Sequence, residues 1–371
     1  MKFTCEKHDL QSAVAIASRA AASKSPNPAL EGILISAGNN LCITGYDLKK
    51  GIYTHVEADV DQAGEIVVNA RLFGEMIRRM PDGIVSFSAD ASNSVNLKCG
   101  RSEFNFIGIS AEDFPEISAV DSVNNISLPQ KILKSMINQT IFAVSDNEVR
   151  PIYTGTLFEI NEDELTLVSV DGYRLAKRCE KIESGKMENC SFVVPGSSLT
   201  DVERICTDSD ELVSIAVGGW HISFTIGDTV VVSRRLEGEF MNYRKSIPQT
   251  FRFELVVERS ELLSCIDRVA LIVSEKNSNP VRMTINDGSI YCICITPIGR
   301  AEDVCVCEGR GDGMEIGFND RYLTDALKAA SGKDKIKFCL NSPSSPCIIT
   351  AADGSENFTY MILPVRLRAG D

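Results

Sequence analysis

Three stretches of the chain carry the same run of apolar strand, turn residue and helix: IVVNARLFGEMIRRM from Ile66, FVVPGSSLTDVERIC from Phe192 and EIGFNDRYLTDALKA from Glu315. With the first helical leucine of each in register, Leu72, Leu199 and Leu323 fall 127 and 124 residues apart. A period this long is that of a whole domain, so the repeat excludes a solenoid of small units and makes the 371 residues three copies of one fold. Each copy opens on a strand followed by a helix (MKFTCEKHDLQSAV, NISLPQKILKSMI, FRFELVVERSELLSCI). An alternating strand follows the second helix (IVSFS, LVSIAV, KIKFCL). A further landmark sits in the middle of each copy: GYDLKKGI, SVDGYRLAKR and TPIGRAEDV.

Two copies close on one shared phrase, SAEDFPEISAV from Ser110 and LEGEFMNYRKSIP from Leu236, which reads as a domain-end linker. The third copy reaches the C-terminus without it. Boundaries are expected near 121 and 249, giving units 1–120, 121–248 and 249–371, the last with a short extension over 368–371. Two helices and six to eight alternating strands per unit predict an α+β fold with antiparallel sheets that have one wet face. In the helix of the first copy, Leu72, Met76 and Met80 are expected to form the apolar stripe, with Arg71, Glu75, Arg78 and Arg79 around it.

A net charge of −13 excludes a surface that is basic all over, as a simple nucleic-acid coater needs, but leaves room for a local basic face. With no apolar run of membrane-spanning length and no leader-like h-region, the chain is expected in the cytoplasm. Thirteen cysteines, an odd number without a CxxC pair, read as free thiols in a reducing compartment.

Motifs for phosphate cradling, zinc hydrolysis, acyl transfer and dinucleotide binding are missing. The three histidines, His8, His55 and His221, read as structural or surface residues. Cys292 and Cys294 with Cys305 and Cys307 have two readings. Paired strands would let four thiolates hold tetrahedral zinc; the preferred alternative is that cysteine serves as a small apolar core residue. Arg310-Gly311-Asp312 reads as a turn, and Asp171-Gly172-Tyr173-Arg174 as a tight turn at the rim of a binding groove.

The three repeats, together with SVDGYRLA, FMNYRKSIP and the closing YMILPVRL, resemble the bacterial sliding clamps, the β subunits of DNA polymerase III. The resemblance runs from MKFTCEKHDL to Leu367. It implies three DNA-clamp domains per chain and a head-to-tail homodimer closed into a six-domain ring, with helices lining the hole and sheets outside. Such a ring encircles double-stranded DNA without reading sequence and tethers the replicative polymerase and other DNA-processing proteins. The resemblance implies no catalytic residues and no nucleotide site, since a separate clamp loader uses the ATP; no cofactor is expected, and no metal on the preferred reading of the cysteines.

By resemblance the DNA-facing cations are Lys24, Arg71, Arg150 and Arg204. Gly196-Ser197 stands where related clamps often carry basic residues. Partner proteins of the family insert a short peptide with spaced apolar side chains into a groove. Here that groove draws on Tyr153, Val170, Gly172, Tyr173, Arg174, Leu175, Met241, Lys245, Ser246, Ser278, Asn319, Tyr322, Pro343 and Ser345. The tail adds Met361, Leu363, Pro364, Val365, Arg366 and Leu367. Met241, Lys245, Ser246 and Ser278 depart from residues common in relatives, which implies a different preferred peptide. Phe104 and Phe106 are expected to meet Ile272 and Val273 of a second copy. The rival readings are a non-ring, monomeric peptide-binding scaffold and a cysteine-metal enzyme; solution mass, bound zinc and turnover discriminate them.

Overall fold

The computed structural model describes residues 1–121, 124–182, 189–273, 279–354 and 357–367. Its residues form two compact units. The first holds Met1–Lys134 and Thr200–Arg235; the second holds Ser135–Ile182, Leu236–Asp371 and the strand and helix start within Glu188–Leu199, in each case over the described residues.

All six strand-to-helix steps read from the sequence are present. The helices are α1 (Lys7–Ala17), α2 (Ala70–Arg79), α3 (Gln130–Asn138), α4 (Gly196–Ile205), α5 (Arg259–Val269) and α6 (Asp320–Ala329). Asn69 and Asn319 explain why the chain turns from strand to helix at α2 and α6. The Asn69 side chain accepts from the Leu72 amide at 2.9 Å, and that of Asn319 from the Arg321 amide at 3.0 Å, so donors that the first turn leaves without helical partners are satisfied.

The apolar stripe of α2 differs from the expected one. Its buried residues are Ala70, Phe73 and Ile77, whereas Leu72 is 49% exposed; Met80 is buried just past the helix end. Two stripes of helical spacing run side by side here, and the one with the phenylalanine faces inward, where Phe73 meets Phe87 edge-on at 6.0 Å. The leucine register is thereby corrected by one residue. The fourth residue of each helix, Phe73, Leu199 and Leu323, is the equivalent core position, and all three are buried.

The first unit contains a five-stranded antiparallel sheet, in the order Asp59–Gln62, Lys2–Glu6, Ile84–Ala89, Ser94–Cys99, Ser102–Ile107. Its eight-stranded sheet forms because Thr229–Arg234 lies antiparallel to Lys50–Val56, with Thr229 opposite Thr54. In the second unit one twelve-stranded sheet is made continuous by Arg174–Lys181 against Phe358–Ile362, with Leu175 opposite Met361. The first copy has nine strands rather than six to eight, since the short, largely exposed Asp59–Gln62 joins the edge of its sheet.

A single-residue bridge recurs three times: Val67 with Ile109, Val193 with Leu236, and Gly317 with Val365. Each lies two residues before the helix-entry residue, Asn69, Pro195 or Asn319. The shared closing phrases are thus straps laid along the strand that feeds the second helix. The third copy is not without one. Its strap is the segment ending at Leu367, which makes the same backbone contact (Val365 N–H to Gly317 O, 2.8 Å) without the acidic-to-Phe wording.

A second recurrence involves the mid-copy turns. Asp47 Oδ1 accepts from the amides of Lys49 (2.9 Å) and Lys50 (2.7 Å). Asp171 Oδ1 accepts from those of Tyr173 (2.8 Å) and Arg174 (2.9 Å). The intervening residues, Leu48 and Gly172, have φ of 70° and 95°. Both turns are therefore Asx turns with a left-handed residue inside, and both aim a basic side chain at the sixth residue of a helix. Lys50 bonds Asp201 of α4, with Arg19 3.6 Å from the same carboxylate, and Arg174 bonds Asp325 of α6 at 2.6 Å.

All thirteen cysteines are free thiols, and eleven are buried. Cys292, Cys294, Cys305 and Cys307 pack in one apolar cluster with Ile285, Ile290 and Phe338. In the strand register Cys292 faces Asp303 and Cys305 faces Ile290, so the cysteines do not stand opposite one another. Burial, followed by the charge of neighbouring groups, pushes the Cys305 thiol up to about 12, which opposes the thiolate a metal requires. No group of three or more His, Cys, Asp or Glu side chains with metal-holding geometry occurs among the described residues.

Candidate functional site

The second unit carries a depression of about 590 Å³, lined by Val144–Asn147, Val149, Arg150, Tyr153, Asp171, Gly172, Tyr173, Arg174 and Tyr322. Its shape follows from the Asx turn. A buried strand ends at Val170, Gly172 takes a backbone conformation that side chains resist, and the turn leaves Tyr173 62% exposed while Arg174 points inward.

Arg174 is held from four sides. Its Nε donates to Asp171 Oδ2 at 2.8 Å and its Nη1 to Asp325 Oδ2 at 2.6 Å. The guanidinium lies 4.6 Å from the centre of the Tyr322 ring and 5.5 Å from that of Phe142. A planar cation between two carboxylates and two rings has its charge compensated and its rotamer fixed, which suits arginine better than lysine. Tyr322 also stacks with Tyr173, with centroids 6.1 Å apart and planes 22° apart. Burial and then the Asp171 carboxylate hold the Tyr322 phenol above its ordinary pKa, so it remains a neutral hydrogen-bonding group. Tyr153 is braced edge-on by Phe240 at 5.5 Å.

Of the residues assigned to the groove, Tyr153, Gly172, Tyr173, Arg174 and Tyr322 meet in this depression. Val170, Leu175 and Met361 are buried in one apolar cluster that also takes Tyr153, so they form packing behind the wall. Leu363 donates its amide to Tyr173 O at 2.9 Å, and the strap 363–367 runs from there to Gly317, with Pro364 half-buried and Arg366 exposed. Asn319 caps the helix that presents Tyr322.

Met241, Lys245 and Ser246 lie outside the lining, around Tyr243, whose hydroxyl donates to Glu159 at 2.5 Å. Pro343 and Ser345 also lie outside it; Ser345 shares a 2.7 Å hydroxyl contact with Ser342. Ser278 and the extension 368–371 fall outside the described residues.

Arg150, assigned to DNA by resemblance, is exposed and stands in the wall of the depression. Lys24, Arg71 and Arg204 are exposed on the first unit. Phe104 and Phe106 lie half-buried on the edge strand Ser102–Ile107, and Ile272 and Val273 are half-buried against the core of the second unit. Sequence reasoning missed Asp325, Phe142 and Phe240. For Asp325 a signal existed, since it occupies the same helical position as Asp201.

The descriptions of the DNA polymerase III beta subunit N-terminal, central and C-terminal domains match residues 1–118, 127–242 and 244–366. The beta sliding clamp of Bacillus subtilis is 31% identical over 99% of this chain and 100% of its own. A crystal structure of the DNA polymerase sliding clamp from that organism superposes with a TM-score of 0.94 at 30% identity, covering 99% of this chain and 100% of the other. A putative DNA polymerase III beta subunit from Eubacterium rectale gives 0.92 at 34% identity, over 98% and 99%. The sliding clamp of Pseudomonas aeruginosa, solved bound to griselimycin, gives 0.93 at 28% identity, over 99% and 100%.

The fold is that of a three-domain DNA clamp. The chain belongs to the DNA polymerase III beta subunit family, the bacterial beta sliding clamps.

Proposed function

We propose that this protein works as a DNA sliding clamp, a non-catalytic ring that encircles duplex DNA and keeps the replicative polymerase and other DNA-processing proteins on their template. The observation that carries this reading is the match of all three domains to one family, in order and across essentially the full chain. The working domains are 1–120, 121–248 and 249–371.

Ring closure is assigned to two strand edges. Ser102–Ile107 pairs only with Ser94–Cys99 among the described residues. Gly299–Glu308 pairs along one side with Ser289–Thr296 and meets Phe253–Glu258 only at Cys307 and Glu308. Unpaired edges attract other strands. Joining the first edge of one copy to the second edge of another, with Phe104 and Phe106 against Ile272 and Val273, gives a head-to-tail contact that closes after two copies.

Lys24, Arg71, Arg150 and Arg204 supply sequence-independent phosphate attraction. Because the hold is topological, that attraction can stay weak enough for sliding. A separate ATP-consuming loader opens the ring. Partner proteins dock through short peptides with spaced apolar side chains, received at the Tyr153–Tyr173–Tyr322 depression and the neighbouring strap. No helix among the described residues is long and apolar enough to cross a membrane.

The test is retention on DNA. After loading onto a nicked circular plasmid by a clamp loader and ATP, the protein should remain on circles through gel filtration and be lost once the plasmid is linearised. If a control clamp is retained and this protein never is, the ring reading fails; a solution mass near 40.5 kDa would then favour the monomeric scaffold.

A further inference from the structure

The three strap bridges place equivalent residues side by side, and their volumes are exchanged in the third. In the first two, the strand position is a valine, Val67 or Val193, and the residue two places beyond the bridge is small, Ala111 or Gly238. In the third, the strand position is Gly317 and the residue two places beyond the bridge is Leu367. A Cβ at 317 would stand 2.6 Å from Leu367 Cδ2, 3.1 Å from its Cγ and 3.0 Å from the Val365 carbonyl oxygen. The leucine therefore occupies the space that a side chain at 317 would need. The Gly317 backbone has no positive φ, so the glycine is required by this close approach and not by the turn of the chain.

The strap seated there reaches the groove. Leu363 is bonded to the carbonyl of Tyr173, whose ring covers Tyr322, and Val365 is bonded to Gly317. Between these two hydrogen bonds the chain crosses from the Asx turn to the strand that feeds α6. Whatever fixes Leu367 also fixes the wall that Leu363, Pro364 and Val365 present.

We propose that Gly317 is a positioning residue of the peptide groove: its missing side chain opens the slot that seats Leu367 and so holds the 363–367 strap where a partner peptide docks. This rests on the peptide-groove reading above. A Gly317→Val substitution puts the sister residue on the strand side, where its Cβ alone would crowd Leu367 Cδ2 at 2.6 Å and press on the Val365 carbonyl oxygen at 3.0 Å. Gly317→Val with Leu367→Ala puts the sister residues on both sides and should let the strap lie down again.

The experiment pairs two readouts on the full chain: hydrogen exchange of the segment containing the Val365 amide, and binding of griselimycin as the probe. For Gly317→Val we expect exchange of that segment to accelerate by about tenfold or more and griselimycin affinity to fall by about tenfold or more. The double variant should recover the exchange protection without the full affinity, because Leu367 is gone. If Gly317→Val leaves the segment as protected as in the unchanged chain, the slot is not what seats the strap and the proposal is overturned. If the strap is released while griselimycin binds with unchanged affinity, or if the unchanged chain does not bind it, the strap has no part in a peptide groove. That result overturns the groove reading as well as the role given to Gly317.

Discussion

The two Asx-turn junctions use one design to different ends. Each turn sends a basic side chain to an aspartate 151 residues further along. In the first unit the pair is sealed: the Lys50 and Asp201 side chains are 10% and 9% exposed. In the second, Asp325 is 41% exposed. The turn there carries Gly172 and Tyr173 where the first has Leu48 and Lys49, and a depression opens beside it. Closing a junction requires desolvating its ion pair. Leaving one carboxylate wet and surrounding the arginine with rings makes a stable rim and keeps the depression open.

The largest effect should come from breaking the sealed junction. Asp201→Ala leaves Lys50 and Arg19 without their shared carboxylate, a loss of about 3–5 kcal/mol by comparison with other truncated buried pairs. Urea denaturation should show it, with hydrogen exchange locating the loss in the first unit. Asp325→Ala should cost only about 1 kcal/mol, because its carboxylate is half in water. If the two variants cost the same, the contrast between closed and open junctions is wrong.

Tyr173→Ala sharpens the other side of the contrast. The ring is largely exposed, so stability should move by less than about 0.5 kcal/mol, while, on the groove reading, loss of an aromatic anchor should weaken binding of a short peptide with spaced apolar side chains by about tenfold. The smallest effect is expected from the thiols. Burial is the largest cause raising Cys5 and Cys206 in the first unit to about 12, and Cys305 and Cys339 in the second to about 12 and 11. A raised folded-state value means that the native form holds the proton more tightly. Their contribution is thus full below pH 9, the ordinary thiol value, and is lost as pH rises from there toward 12. Alkaline titration of unfolding should show both units weakening over that window. At neutral pH a thiol reagent should modify the half-buried Cys42 and Cys190 before the rest.

The threefold repeat and all six helices were legible in the sequence because apolar periodicity and strand-to-helix wording survive divergence. Leu72 misled because it adjoins Phe73, and spacing alone does not say which of two adjacent stripes outweighs the other on burial. The third strap was hidden for a different reason: it is a backbone contact, and a backbone bridge demands no particular wording. At the candidate site the Asp171–Arg174 turn could be read, since aspartate and glycine announce a turn. Phe142 could not be placed at that turn, nor Phe240 against Tyr153, and the helical position that Asp325 shares with Asp201 becomes a signal only once the fold brings each aspartate to its turn. Arg150 shows the same limit, as a lone exposed cation whose surroundings only the fold supplies.

The separation of 151 residues within each junction also sets an order in time. A chain made from its N-terminus folds domain by domain, yet Lys50 must wait for α4 before its carboxylate arrives, and Arg174 must wait for α6. The rim of the groove waits longer still, until the segment through Leu367 has left the ribosome. Until α6 is made, Tyr173 lacks the Tyr322 ring and the Arg174 guanidinium has Asp171 and Phe142 but neither Asp325 nor Tyr322, so the depression takes its final form only after the third copy has been synthesised.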